Sequence, residues 1–214
     1  MATVFIAGGT GYLGRRLIPA LIARGHRVRA LVRRGSESKL AAGAEAVAGD
    51  PFERATFTAA VEGADTFVQL VGVPRPSPAK ARQFVEIDLR SARESIEAAR
   101  AARVAHFVYV SVAQPAPVMR AYQAVRREAE QRLESADVRR TILRPWYVLG
   151  PGHRWPYALL PIYRVLERLP STRESARRLG LVTLPQMIAA LVDAVEHPPD
   201  RVRIVEVPEI RSAR

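Results

Sequence analysis

The sequence predicts an α/β protein built on a doubly wound parallel sheet. Three observations predict it. Short β-branched apolar runs alternate with segments of helical periodicity, the links between them are short, and a cluster of glycines falls at the first strand-to-helix turn.

The first run, Thr3–Ala7, leads straight into Gly8-Gly9-Thr10-Gly11-Tyr12-Leu13-Gly14. A helical segment Tyr12–Arg24 follows, with Leu13, Leu17 and Leu21 spaced to fall on one face. The next strands are expected at Arg27–Val32 and Ala44–Ala48, then a helix over Phe52–Val61 and a strand over Thr66–Leu70. A long helix is expected over Lys80–Ala102, its apolar positions being Val85, Leu89 and Ile96. The fifth strand, His106–Val110, contains the apolar run Phe107-Val108-Tyr109-Val110, which fits burial on both faces of a parallel sheet. A helix over Met119–Ser135 and a strand over Arg139–Leu143 complete the alternation.

After about residue 144 the rhythm changes. Pro145, Pro151, Pro156, Pro161 and Pro170 punctuate a stretch containing Trp146, Tyr147, Trp155, Tyr157 and Tyr163. A final helix, Pro185–His197, and a strand near Val202–Val207 follow. One domain spanning 1–214 is expected, with 145–200 forming a small lobe on the sheet.

Composition narrows the function. The chain has 214 residues, of which 48% are hydrophobic and 25% charged, the balance of an ordinary globular protein. No stretch reaches the roughly 18 uninterrupted apolar residues of a membrane span, and Met1 leads directly into a strand-like run with no signal-peptide pattern. A cytoplasmic location is therefore expected. With no cysteine, the chain forms no disulfide or thiolate metal site, and His26, His106, His153 and His197 lack metal-ligand spacing. The net charge of +12 comes from 31 arginines and two lysines, Lys39 and Lys80, against 21 acids. These arginines are spread along the chain rather than gathered into one arm, so a dedicated nucleic-acid function is not expected. Their field would still attract anions, dinucleotides among them.

The glycine cluster has a specific reading. Gly9-x-Gly11-x-x-Gly14 lies between a strand and a helix, the setting of a dinucleotide-binding fingerprint. One glycine makes the turn, the next lets a pyrophosphate approach the backbone, and Gly14 lets helix and strand pack closely. The helix N-terminus then presents N–H groups and partial positive charge to the phosphates. The second strand ends in Val32-Arg33-Arg34, and Arg33 lies nineteen residues beyond Gly14, where an NAD-selective site places an acid. Arginine suits a 2′-phosphate instead, so NADP is favoured and NAD remains possible; Arg15 and Arg16 would add to the same pocket. Asp50, after the third strand, suits either an adenine amino group or the cap of the next helix. Gly72, just past the fourth strand, would let backbone pass close to the cofactor, or serve a plain turn.

Together these fragments resemble the short-chain dehydrogenase/reductase superfamily, in its atypical group with the extended-type fingerprint Gly8-x-x-Gly11-x-x-Gly14. The resemblance runs from about residue 2 to 207. It includes Gly49-Asp50, the strand end at Ser111, Tyr122 on a helix with Glu128 and Glu130, Thr141-Ile142-Leu143-Arg144-Pro145 and Gly150-Pro151-Gly152. It implies a Rossmann-type sheet binding NAD(P), with Gly8, Gly9, Thr10, Gly11, Tyr12, Leu13 and Gly14 at the cofactor and the chemistry above the fourth to sixth strands. The family's catalytic device is Tyr-x-x-x-Lys with a Ser or Thr. The matching residues here are Tyr122, Arg126 and Ser111, so arginine replaces the usual lysine. Where many relatives carry the substrate-contacting hydroxyl, one or two residues after Ser111, this chain has Val112 and Ala113.

Three readings follow. The first is an NADP(H)-dependent oxidoreductase acting on a small carbonyl, enone or quinone-like substrate, with Tyr122 as acid/base, Arg126 as its electrostatic support and aromatics such as Trp146, Trp155 and Tyr157 as pocket walls. The second is a non-catalytic dinucleotide sensor or assembly factor. It resembles nitrogen-metabolite-repressor-like proteins and the accessory dinucleotide-binding subunit of respiratory complex I; isoflavone-reductase-like members supply the first reading. The third is a nucleotide-sugar epimerase or dehydratase. A small-molecule partner and a monomer or homodimer are expected in each.

Overall fold

The computed structural model describes residues 1–151 and 173–213. Seven strands form one sheet: β1 (Thr3–Ala7), β2 (Arg27–Val32), β3 (Glu45–Ala48), β4 (Thr66–Gln69), β5 (His106–Val110), β6 (Arg139–Arg144) and β9 (Val202–Glu206). Their order is β3-β2-β1-β4-β5-β6-β9, with every pair parallel. Helices α1 (Gly14–Ala23), α2 (Thr58–Val61), α4 (Arg90–Ala101) and α5 (Arg120–Ser135) lie between strands, as parallel crossovers require.

Strand periodicity separates two cores. Val4, Ile6, Val28, Ala30, Val68 and Val108 point to one face, where Leu17, Ile18 and Leu21 of α1 meet Met187, Leu191 and Val195 of α7 (Leu184–Glu196). Phe5, Phe67, Phe107 and Tyr109 point to the other, under Leu89, Ile96, Val125 and Leu133. Adjacent side chains on a strand take opposite faces, so both sides of the sheet are apolar. Phe5, Phe67 and Phe107 stand side by side in register, with ring centroids 5.1 Å apart at each step.

The expected 145–200 lobe contributes β7 (Tyr147–Leu149), α6 (Arg173–Arg178), β8 (Leu181–Thr183) and α7. Strands β7 and β8 form a separate parallel pair that periodicity did not foresee, each being only three residues long. Helix α7 begins at Leu184 because Thr183 and Gln186 form a reciprocal capping box. A last short helix, α8 (Val207–Ser212), lies where the final strand was expected to end. Pro156, Pro161, Pro170, Trp155, Tyr157, Tyr163 and His153 lie outside the described residues.

Two expected helices are corrected. The segment 52–61 is a 3-10 turn, Arg54–Thr56, followed by the four residues of α2. Thr56 Oγ1 donates to the carbonyl of Glu53 at 2.7 Å and accepts the Asp50 amide at 2.9 Å, so its hydroxyl competes with helical bonding. The segment 80–102 is interrupted. After α3 (Ala81–Gln83), residues Phe84–Leu89 form a π-helical turn before α4. The wider turn changes which side chains face inward: Phe84, Asp88 and Leu89 are buried, whereas Val85, expected inside, is 52% exposed.

At the N-terminal ends of the central strands, His106 is buried between Thr66 Oγ1, 3.3 Å from Nδ1, and Thr141 Oγ1, 2.9 Å from Nε2. Burial, reinforced by the charge of Arg139, lowers its pKa to about 4. The unfolded chain binds a proton at this histidine near 6.5, so between there and about 4 the unfolded state holds more protons than the folded one. Stability is therefore full above that window and falls with pH through it, by roughly 3 kcal/mol in all. Urea titrations at stepped pH should show this slope, and His106→Gln should flatten it.

Candidate functional site

The site forms where the sheet reverses its winding, at the C-terminal ends of β1 and β4. After β1 the chain turns at Gly8, whose φ of 90° favours glycine and whose carbonyl accepts the Gly11 amide at 3.0 Å. A Cβ on Gly8 would lie 2.9 Å from both Leu70 C and Val71 N, so the loop after β1 rests directly on the loop after β4. A Cβ on Gly14 would lie 2.6 Å from Gly9 Cα, which fixes the close approach of α1 to the loop. Gly11 is different: it is exposed, and its Cβ would meet only the Gly8 carbonyl, at 3.1 Å.

Helix α1 opens at Gly14 with Leu13 in the capping position, no side-chain cap and no acid in its first turn. Arg15 and Arg16 stand there instead, Arg15 donating to the Thr10 carbonyl at 2.9 Å and Arg16 lying 5.2 Å over the Tyr12 ring. An uncapped helix N-terminus beside cations and an open glycine surface fits the pyrophosphate of a dinucleotide.

Arg33 and Arg34 are exposed at the end of β2, and neither meets an acid among the described residues. Asp50 is exposed after β3. Its Oδ1 accepts the Phe52 amide at 2.9 Å, an Asx turn rather than a helix cap, because Glu53 takes the capping position of the following turn. That corrects the capping alternative for Asp50.

Gly72 makes room for a charge pair. Its Cβ would fall 2.7 Å from Arg126 Nη2 and 2.9 Å from Asp88 Oδ1. Arg126 comes from α5, whose entry is fastened by buried Gln123, bonded to the Ala116 amide and to the carbonyls of Ala116 and Val118. Arg126 Nη2 donates to Asp88 Oδ1 at 2.5 Å and to Tyr122 Oη at 2.9 Å; Nη1 donates to Tyr109 Oη at 3.2 Å and to the Val110 carbonyl at 2.8 Å. Asp88 is completely buried, and its Oδ2 accepts the Val73 amide at 3.1 Å. Tyr122 is half-buried, its ring packed 4.9 Å from that of Phe84. Tyr122 and Arg126, four residues apart, thus share a helix face as expected.

Burial raises the Tyr122 pKa; Arg126 pulls it down and Asp88 pushes it up, leaving it above the ordinary phenol value. Tyr109 is pushed up to about 12 by burial, against the pull of Arg126. Burial likewise raises the Asp88 carboxyl, with Arg126 opposing. Arg126 thus draws the phenol towards ionisation, as an electrostatic support would, and burial together with Asp88 outweighs that pull.

Ser111 is buried and its hydroxyl donates to Glu130 Oε1, not to the Tyr122 pair. The same carboxylate receives Gln114 Nε2 at 3.1 Å and two bonds from Arg144, which also reaches Glu206 at 3.1 Å. Val112 and Ala113 are buried, and Trp146 is partly buried against the first core. Sequence reading missed Asp88, Tyr109 and the Glu130–Arg144 pair. For Asp88 a signal existed: it stands four residues after Phe84 and four before Ala92, on the face that packs inward.

Fold and loop together define an NAD(P)-binding Rossmann-type protein. A family model described as NAD(P)H-binding matches residues 8–157, and the chain belongs to that family, within the short-chain dehydrogenase/reductase superfamily. It is 29% identical to a ceramide reductase of Caulobacter vibrioides, over 97% of this chain and 65% of that protein. It is 30% identical to a 3-diazoavenalumate denitrifying reductase of a Streptomyces species, over 90% of this chain and 72% of that one. Across the first three curated relatives matched, the chain spans between 32% and 65% of their length. The structure of MoeE5 in complex with UDP-glucose and NAD shares the fold, with a TM-score of 0.70 at 19% identity, over 97% of this chain and 79% of that one. No helix among the described residues is long and apolar enough to cross a membrane, and no group of three or more His, Cys, Asp or Glu among them is placed to hold a metal.

Proposed function

We propose that the protein is an NADP(H)-dependent reductase of a small carbonyl, enone or quinone-like substrate, with Tyr122 as proton donor. One observation carries this reading: Tyr122 Oη receives a hydrogen bond from Arg126, whose guanidinium lies close against Gly72 of the loop after β4. Arginine only donates, so the phenol oxygen is the acceptor there and its own hydrogen remains free for a substrate oxygen. A chain of close approaches supports the reading. Gly8 touches the β4 loop, Gly72 of that loop touches Arg126, and Arg126 holds Tyr122.

Bound NADPH would supply the hydride to the carbonyl carbon. Tyr122 would give its phenolic proton to the carbonyl oxygen, completing the alcohol, and the phenolate would regain a proton from solvent. Gly9, Gly11 and Gly14 with the α1 N-terminus would hold the pyrophosphate, and Arg33 and Arg34 the 2′-phosphate. Ser111 has its hydroxyl on Glu130, which leaves Tyr122 as the principal polar contact for the reacting oxygen. The reductase names of two relatives support the same class. Epimerase chemistry starts by removing an alcohol proton and so needs a tyrosinate, which the raised Tyr122 pKa disfavours.

Calorimetric titration with NADPH and NADH tests the cofactor assignment. Arg33→Ala with Arg34→Ala should weaken NADPH by roughly 10- to 150-fold, one charge-assisted bond being worth about 1.5–3 kcal/mol, and leave NADH unchanged. Equal affinities for both cofactors in the parent protein would remove the 2′-phosphate role.

A non-catalytic dinucleotide sensor is the second reading, favoured by one feature. Both terminal nitrogens of Arg126 are already engaged with protein groups, so it is not free for a ribose as the family's lysine is. NADPH binding without oxidation across a panel of aldehydes, ketones and quinones would establish it.

A further inference from the structure

We infer that Asp88 is a positioning residue that turns the Tyr122–Arg126 pair into a charge-neutral unit committed to giving a proton rather than taking one. The inference rests on the reading of Tyr122 as proton donor and names what sets that direction.

The geometry is specific. Asp88 leaves the solvent completely and offers both oxygens to fixed donors, Oδ1 to Arg126 Nη2 and Oδ2 to the Val73 amide. It reaches this position only because the helix widens into a π turn over Phe84–Leu89, and because position 72 has no side chain. The guanidinium is therefore anchored from two elements, by the Asp88 carboxylate on the π turn and by the β5 carbonyl of Val110. It reaches Tyr122 with its direction already fixed.

Charge follows from the same contacts. An isolated cation 2.9 Å from a phenol oxygen would favour the phenolate. Here a carboxylate sits on the same guanidinium nitrogen, so the phenol faces a pair with no net charge. The charged and titratable groups facing Tyr122 are Arg126 on its own helix, Asp88 on the π turn and Tyr109 on β5. Burial of the ring then disfavours ionisation. A tyrosine held neutral suits reduction, where it must arrive protonated, and suits alcohol oxidation poorly.

The test uses the whole chain without cofactor or substrate, so it is independent of whether any reductase activity is found. Tyrosinate absorbance is followed against pH, with Tyr122→Phe and Tyr109→Phe assigning the transitions. In the parent protein Tyr122 should ionise above the free-tyrosine value of about 10. Asp88→Asn should move that transition to lower pH, and Asp88→Asn with Arg126→Gln should return it upward, because the pair is then again without net charge. A merely structural role for Asp88 moves none of these. The inference falls if Tyr122 ionises below 10 in the parent protein, a result that needs no variant at residue 88, or if it is unmoved in folded Asp88→Asn.

Discussion

Replacing Tyr122 with phenylalanine is expected to slow carbonyl reduction by about 100- to 10,000-fold, the usual range for a positioned proton donor, while leaving NADPH affinity unchanged. The ring would keep its packing against Phe84, so the loss would come from the phenol oxygen alone. That oxygen is held by Arg126, with the phenolic hydrogen turned to no other purpose in the Arg126 bond. Single-turnover measurements separate the effects, because the nucleotide-binding step and the hydride step are read from different phases. Reduction that survives the substitution at full rate would mean that water supplies the proton.

Asp88→Ala is expected to destabilise the fold by roughly 3–5 kcal/mol, because it strands a buried guanidinium without its counter-charge. Arg126 is only 6% exposed and Asp88 not at all, so water cannot replace the lost carboxylate without opening the core. The joint replacement Asp88→Leu with Arg126→Met should cost much less, since a buried pair exchanged for apolar groups of similar size is often neutral. Denaturant midpoints of the three proteins measure the difference. A mild effect of Asp88→Ala alone would show that Arg126 relaxes towards solvent through the half-buried Tyr122.

The sheet was legible because its signal is local. Thr3–Ala7, Arg27–Val32 and His106–Val110 agree with the structure to the residue: Val4–Ala7 and Phe107–Tyr109 are continuous buried runs, and in the second strand the buried Val28 and Ala30 alternate with Arg27 and Arg29. The glycine turn after β1 was legible because glycine has few other reasons to recur at that spacing after a strand. The chemistry around Tyr122 was legible only in part. Spacing put Tyr122 and Arg126 on one face, but nothing local says that residue 88 meets residue 126. That contact depends on a π turn, which shifts the helical register and turns Val85 outward in place of Phe84. The partner of Ser111 was hidden for a related reason: Glu130, Arg144 and Glu206 come from three separate elements and meet only when α5, β6 and β9 are assembled. The three-residue strands β7 and β8 are too short for any periodicity to register.

The loop between β1 and α1 is held by its own contacts. Its shape is set by the protein itself: Gly8 against the backbone of Leu70 and Val71, Gly14 against Gly9, and the Gly11 amide on the Gly8 carbonyl. If the dinucleotide binds there as proposed, it would have nothing to organise. The ordering cost that a flexible loop adds to binding would already be met during folding, which would leave the binding energy for recognition. Association should accordingly behave as a simple one-step encounter, with a rate that rises linearly with nucleotide concentration.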